Sequence, residues 1–201
     1  MSSERLLARY RQLYSKAQAE IGSWTTLQAQ TVALLSACIN ITNRLPAMQN
    51  AANYGPDASL PALQRVVLGK QLEKFEVLFS QITKNMSSMQ DVVQRLSNIA
   101  DDARQKMQAE QASPSAARSA PRTQSTGPTV SSCVQGLQVV QAMFHDEFRL
   151  KSAMISKITF GTSAADLAVL LQIFSDQPNV EQSTIDDIFS ALTSSEASKA
   201  R

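Results

Sequence analysis

Apolar residues recur through the first third of this chain at alternating steps of four and three. Starting from Leu6, the series runs Tyr10, Leu13, Ala17, Glu20, Trp24, Leu27, Thr31, Leu34, Cys38, Ile41, Leu45 and Met48. Only Glu20 and Thr31 interrupt its apolar character. A stripe of period 3.5 keeps one narrow helix face turned toward a partner helix, so it predicts a long coiled-coil helix. The same spacing returns at Leu68, Leu72, Phe75, Phe79, Ile82, Met86, Met89, Val93, Leu96, Ala100, Ala103 and Met107, with no polar break. Gly69 lies inside this second run and costs it about 1 kcal/mol relative to alanine. A helix over residues 61 to 109 would be roughly 70 Å long.

The punctuation between the runs sets their arrangement. Pro46 disfavours helical geometry at Leu45, so the first helix either ends near Arg44 or kinks and continues to about Ala52. Asn53-Tyr54-Gly55-Pro56-Asp57 then has turn chemistry. Two long helices joined by a short turn predict an antiparallel hairpin over 1–110. Residues 111–129 hold no apolar side chain larger than alanine and cannot repay ordering, so they form a flexible linker. A third helix is expected from Val130 to Thr159, with Val134, Leu137, Val140, Phe144, Phe148, Ile155 and Ile158 on its apolar face. Gly161 would end it in a left-handed cap. Ser163-Ala-Ala-Asp166 resembles a capping box and opens a short helix through Leu167, Leu170, Leu171 and Phe174. After Asp176-Gln-Pro178 a last short helix carries Ile185, Ile188, Phe189 and Leu192. The expected fold is therefore all-α. It is a long antiparallel coiled-coil hairpin plus a third long helix, forming a three-helix bundle, with short C-terminal helices within 130–193. A frayed tail covers 194–201.

Composition bounds the chemistry. Net charge is +2 over 201 residues, far from the basic excess of a nucleic-acid binder that works by bulk charge. No apolar run reaches the length of a membrane span, and the first residues lead into an amphipathic pattern rather than a secretory leader. Cys38 and Cys133 are far apart in sequence and fit no metal spacing. They are expected as reduced thiols of the cytoplasm or nucleus. The single histidine, His145, sits beside Asp146 and Glu147. On a helix those neighbours should point away from it, leaving no relay for acid–base work. Six scattered glycines form no phosphate loop. Asp101-Asp102 and Asp186-Asp187 lack calcium-loop spacing and are expected as surface charge. Trp24, in the seam, and Met86, Met89 and Met107 are expected in the core rather than as binding anchors. Neither an enzyme activity, a cofactor nor a small-molecule substrate is expected. In the linker, Ser113-Pro114 is a proline-directed phosphorylation pattern, and Thr184-Ile-Asp-Asp187 fits an acid-directed kinase. What such a chain offers is leftover apolar strips on rigid helices, which suit docking to other proteins.

Two segments resemble known proteins. Trp24 to Asn50, with Leu34-Leu35-Ser36, Asn40, Leu45, Ala47 and Gln49-Asn50, resembles the N-terminal helix of the AIRIM proteins of the casein kinase II substrate family. Pro61-Ala62-Leu63 followed by Lys70-Gln71-Leu72 keeps the same order. Phe144 to Glu181, with Phe148-Arg149-Leu150-Lys151 and Gln177-Pro178-Asn179-Val180-Glu181, is similar to the CINP proteins. The resemblance implies a non-catalytic adaptor in an AAA-ATPase assembly that matures the large ribosomal subunit. It implies AAA-ATPase subunits and a helical paralogue as partners, association with pre-ribosomal particles, and residence in cytoplasm and nucleus. The matching segments nominate Phe144, Phe148, Arg149, Lys151, Gln177, Pro178, Val180 and Glu181 as partner-binding residues. The alternative from the residues alone is a coiled-coil tether or adaptor in trafficking, cytoskeleton or cell-cycle and replication complexes.

Overall fold

The computed structural model describes residues 3–54, 60–112, 129–159 and 161–197. Among them are five α-helices and no strand: α1 (Ser3–Gln49), α2 (Leu60–Gln111), α3 (Val130–Ile155), α4 (Ala164–Asp176) and α5 (Gln182–Ala197). One turn of 3-10 helix, Ala51–Tyr54, follows α1. Pro46 lies within α1 and does not end it. It stands in the final turn, where its missing N–H costs one bond and its carbonyl still accepts from the Asn50 N–H at 3.2 Å.

The helix ends show which local signals decided them. Ser163 caps α4, its Oγ accepting from Asp166 N at 3.1 Å and donating to the Asp166 carboxylate at 2.7 Å. Thr129 caps α3 in the same way, through Ser132 N at 3.1 Å. Two expectations need correction. The third helix stops at Ile155, four residues before Thr159, because Lys157 and Ile158 N–H turn back to the carbonyls of Met154 and Ile155 in tighter i→i+3 bonds. Nor does Gly161 cap this helix, since it lies six residues past Ile155. Thr159 and Thr162 close that turn instead, with Thr159 N donating to Thr162 Oγ1 at 2.8 Å. The left-handed cap belongs to Gln177, at the end of α4, with φ 49° and ψ 60°. At the chain's C-terminal end α5 runs to Ala197, beyond the expected start of the tail. The side chains of Leu6 and Leu192 and most of the expected linker, 113–128, lie outside the described residues.

The chain packs as two units. The first joins residues 1–24 of α1, 91–148 of α2 and α3, and the last segment from Pro178, which includes α5. Its core holds Tyr10, Leu13, Tyr14, Trp24, Leu96, Leu137, Val140, Phe144 and Ile185. Trp24 meets Phe144 edge-on at 5.2 Å, and Tyr14 meets Phe189 likewise at 5.2 Å. Tyr10 Oη donates to the Ala103 carbonyl at 3.1 Å, and Glu20 pairs with Arg95 at 2.8 Å. These two rungs show α1 and α2 running in opposite directions within this unit.

The second unit joins 25–90 with 149–177. Its core includes Leu35, Cys38, Ile41, Phe75, Ile82, Met86, Met89, Met154, Leu167 and Phe174. Asn85 Nδ2 donates to Thr31 Oγ1 at 3.3 Å, and Gln64 Nε2 reaches the carbonyls of Met48 and Gln49 at 3.1 and 2.8 Å. Again α1 and α2 run antiparallel.

From Tyr10 to Met48 every position of the first seam is buried or half-buried; in the second seam only Leu72 is exposed. A neighbouring stripe on α1, Tyr14, Ile21, Gln28 and Leu35, is covered as well. Its spacing of seven marks a second buried edge, so α1 is covered on more than the one seam.

Candidate functional site

In the second unit the C-terminal end of α4 is fastened from below. Helix ends leave carbonyls without intrahelical partners, and a cation there complements the helix dipole. The Phe174 carbonyl, in the last turn of α4, accepts from Gln28 Nε2 at 2.6 Å and from Lys151 Nζ. The same ammonium lies 3.9 Å from the centre of the Phe174 ring. Lys151 and Phe174 have no exposed surface. One side chain thus satisfies a helix end and covers an aromatic face.

In the first unit a second buried charge holds the segment after α4. Glu147, with no exposed surface, accepts from both Asn179 N and Asn179 Nδ2 at 3.1 Å through Oε2. Charge-assisted pairs of this kind are stronger than neutral ones and fix a turn in one geometry.

The nominated residues therefore divide. Phe144 and Lys151 are interior. Phe148, Gln177 and Val180 are half-buried, while Arg149, Pro178 and Glu181 are exposed. Thr184, half-buried, donates its hydroxyl to Glu181 Oε2 at 2.8 Å. Ser113 lies outside the described residues.

The expected surface charges are where the spacing placed them: Asp101 and Asp102 pair along α2 with Arg104 and Lys106. His145 differs from expectation in one respect. The Asp146 carboxylate bends back to its Nδ1 at 3.3 Å, although adjacent residues leave a helix in different directions. Both side chains are exposed and no third group completes a relay in that pair. Among the described residues no group of three or more His, Cys, Asp and Glu could hold a metal ion. No described helix is long and apolar enough to cross a membrane.

Two apolar surfaces went unrecognised in the sequence. On α4, Val169 and Ile173 are 60% and 38% exposed, one turn apart and turned away from buried Leu167 and Phe174. On α2, Leu63, Val66 and Val77 are 51%, 54% and 57% exposed. At about 100° per residue, these three share with Lys70 and Glu73 an arc of roughly 80°, on the side of α2 away from Phe75 and Ile82. Their four-and-three spacing was legible, but the stronger seam on the other face masked it. Both surfaces belong to the second unit.

A comparison with curated proteins finds no match. A family model described as CA109-like, "Ribosome biogenesis protein C1orf109-like", matches residues 4–197. That single match takes in all five helices and both segments that carried the resemblances. The chain accordingly belongs to the C1orf109-like family of ribosome biogenesis proteins.

Proposed function

We propose that this protein is a non-catalytic adaptor subunit of an AAA-ATPase assembly that matures the large ribosomal subunit, acting in cytoplasm and nucleus. The family match over residues 4–197 is the observation that carries this reading. The likeness of Trp24–Asn50 to AIRIM and of Phe144–Glu181 to CINP supports AAA-ATPase subunits and a helical paralogue as partners. The antiparallel rungs of α1 and α2 within each unit support a coiled-coil hairpin, and the Trp24–Phe144 and Tyr14–Cys133 contacts support α3 as the third helix of a bundle.

The contact we assign to a partner is the outer face of α4. Val169 and Ile173 offer an apolar pair on a helix whose C-terminal end, beside Ile173, is locked by Lys151 and Gln28, so the surface is pre-organised and binding loses little entropy in ordering it. Arg149, in the same unit, is the nominated residue open to solvent for a further polar contact.

Affinity purification of the tagged chain followed by mass spectrometry tests the reading. It should recover an AAA ATPase together with large-subunit precursor particles. A Val169→Asp/Ile173→Asp variant should fold but lose most of that recovery. A wild-type purification containing neither ATPase nor precursor particles would overturn the proposal.

A further inference from the structure

The central part of the exposed stripe on α2 is self-complementary. In chain order it reads Val66, Lys70, Glu73, Val77, at steps of four, three and four. The valines are more than half exposed and both charged side chains are open to solvent. Reversed end for end, the stripe is again apolar, charged, charged, apolar, with the two charges exchanged in sign. A two-fold axis crossing α2 between Gln71 and Leu72 therefore superimposes each group on its complement. Val66 of one copy meets Val77 of the other, and Lys70 meets Glu73, twice each.

Closed two-fold dimers require just this self-complementarity, since one patch must serve as both partners. Opposite charges beside an apolar seam set the register and orientation of antiparallel helices. Gly69, at the margin of the stripe, adds an independent observation. Among the described residues nothing comes within 4 Å of where its Cβ would stand. A glycine inside a helix costs about 1 kcal/mol, and the packing of the described residues does not need this one. Close approach of a second helix would use the missing side chain, because small residues let backbones come together.

We propose that this face of α2 is a self-association surface, on which a second copy of the chain docks antiparallel through Val66, Lys70, Glu73 and Val77. The inference stands apart from the ribosomal reading, because it concerns the purified chain alone. Three turns of one helix make a small contact, so the dimer is weak, with a dissociation constant on the order of 100 μM.

Sedimentation equilibrium of the purified full chain over a concentration series reads the association directly. The wild type should shift from monomer to dimer, and less so at high salt. Lys70→Glu makes every cross-pair acidic and Glu73→Lys makes every cross-pair basic. Each should lower the association constant by about tenfold or more. Mixing the two variants restores both opposite-charge pairs in a heterodimer, and association should return toward the wild-type value. This rescue cannot arise from misfolding of either chain. A wild type that stays monomeric throughout the series would overturn the proposal. So would a dimer indifferent to both substitutions, or two weakened variants that fail to restore each other.

Discussion

Gly136 lies within α3, where a Cβ would stand 2.5 Å from Tyr14 Oη and 2.9 Å from Ile188 Cγ2. The Tyr14 hydroxyl cannot simply swing aside. It donates to the Cys133 carbonyl at 2.9 Å, and its ring is held edge-on against Phe189. Gly136→Ala should therefore overpack the first unit, at about 1–3 kcal/mol. Displacing the hydroxyl adds roughly 1 kcal/mol for the buried hydrogen bond. Against this, alanine gains about 1 kcal/mol over glycine in helix propensity. The net expectation is a loss of roughly 1–3 kcal/mol, read as a lower midpoint in urea unfolding followed by far-ultraviolet circular dichroism. Tyr14→Phe alone should cost about 1 kcal/mol. In the double variant the phenolic oxygen is gone before the methyl group arrives, so the two costs should fall short of their sum by about 1 kcal/mol. At Gly22, where nothing lies within 4 Å of the Cβ position, the same replacement should instead stabilise by about 0.5–1 kcal/mol. A Gly136→Ala chain as stable as wild type, or strict additivity with Tyr14→Phe, would refute this account of the packing.

Glu147→Ala should lower stability by about 2–4 kcal/mol, since it removes a charged acceptor and opens a cavity in the interior; a change under 0.5 kcal/mol in the same titration would count against the buried pairing with Asn179. Gln177→Gly should stabilise by about 0.5–1 kcal/mol, because glycine meets no Cβ penalty in the left-handed cap; a loss of stability would mean the glutamine side chain contributes more than the strain costs. Burial raises the Cys38 thiol from 9.0 to about 11 and also raises Cys133, Tyr10 and Tyr14. These groups stay protonated in the fold while the unfolded chain gives up its protons, so stability should be full below about pH 9 and fall as pH rises through 11. Urea midpoints measured from pH 7 to 11 check the sign, and a rising trend would contradict it.

The seams were legible because burial on a helix repeats and a period of 3.5 survives two polar interruptions. The second buried edge was harder to see: Gln28 stands in it, and only the Phe174 carbonyl, 146 residues away, explains a buried amide there. Lys151 and Glu147 fail for the same reason. A charged residue on a helix reads as solvated unless its partner is known, and these partners lie 23 and 32 residues further on. Caps made from local chemistry, such as Ser163, could be read directly. Gln177 could not, because nothing in a glutamine announces a positive φ, whereas Gly161 suggested a cap for a helix that ends six residues earlier. Phe144 and Lys151 were nominated for a partner by likeness of sequence, and likeness alone does not tell an interior side chain from an exposed one.

The central proposal is that this chain serves ribosome maturation by offering the exposed Val169–Ile173 face of α4 to a partner. Depletion followed by rescue, read as the ratio of free large to small ribosomal subunits on sucrose gradients, tests it most directly. Wild type and His145→Ala should both restore the large subunit, while Val169→Asp/Ile173→Asp, expressed to the same level, should leave it deficient. Full rescue by the α4 variant, or a depleted cell with no large-subunit deficit, would contradict the account.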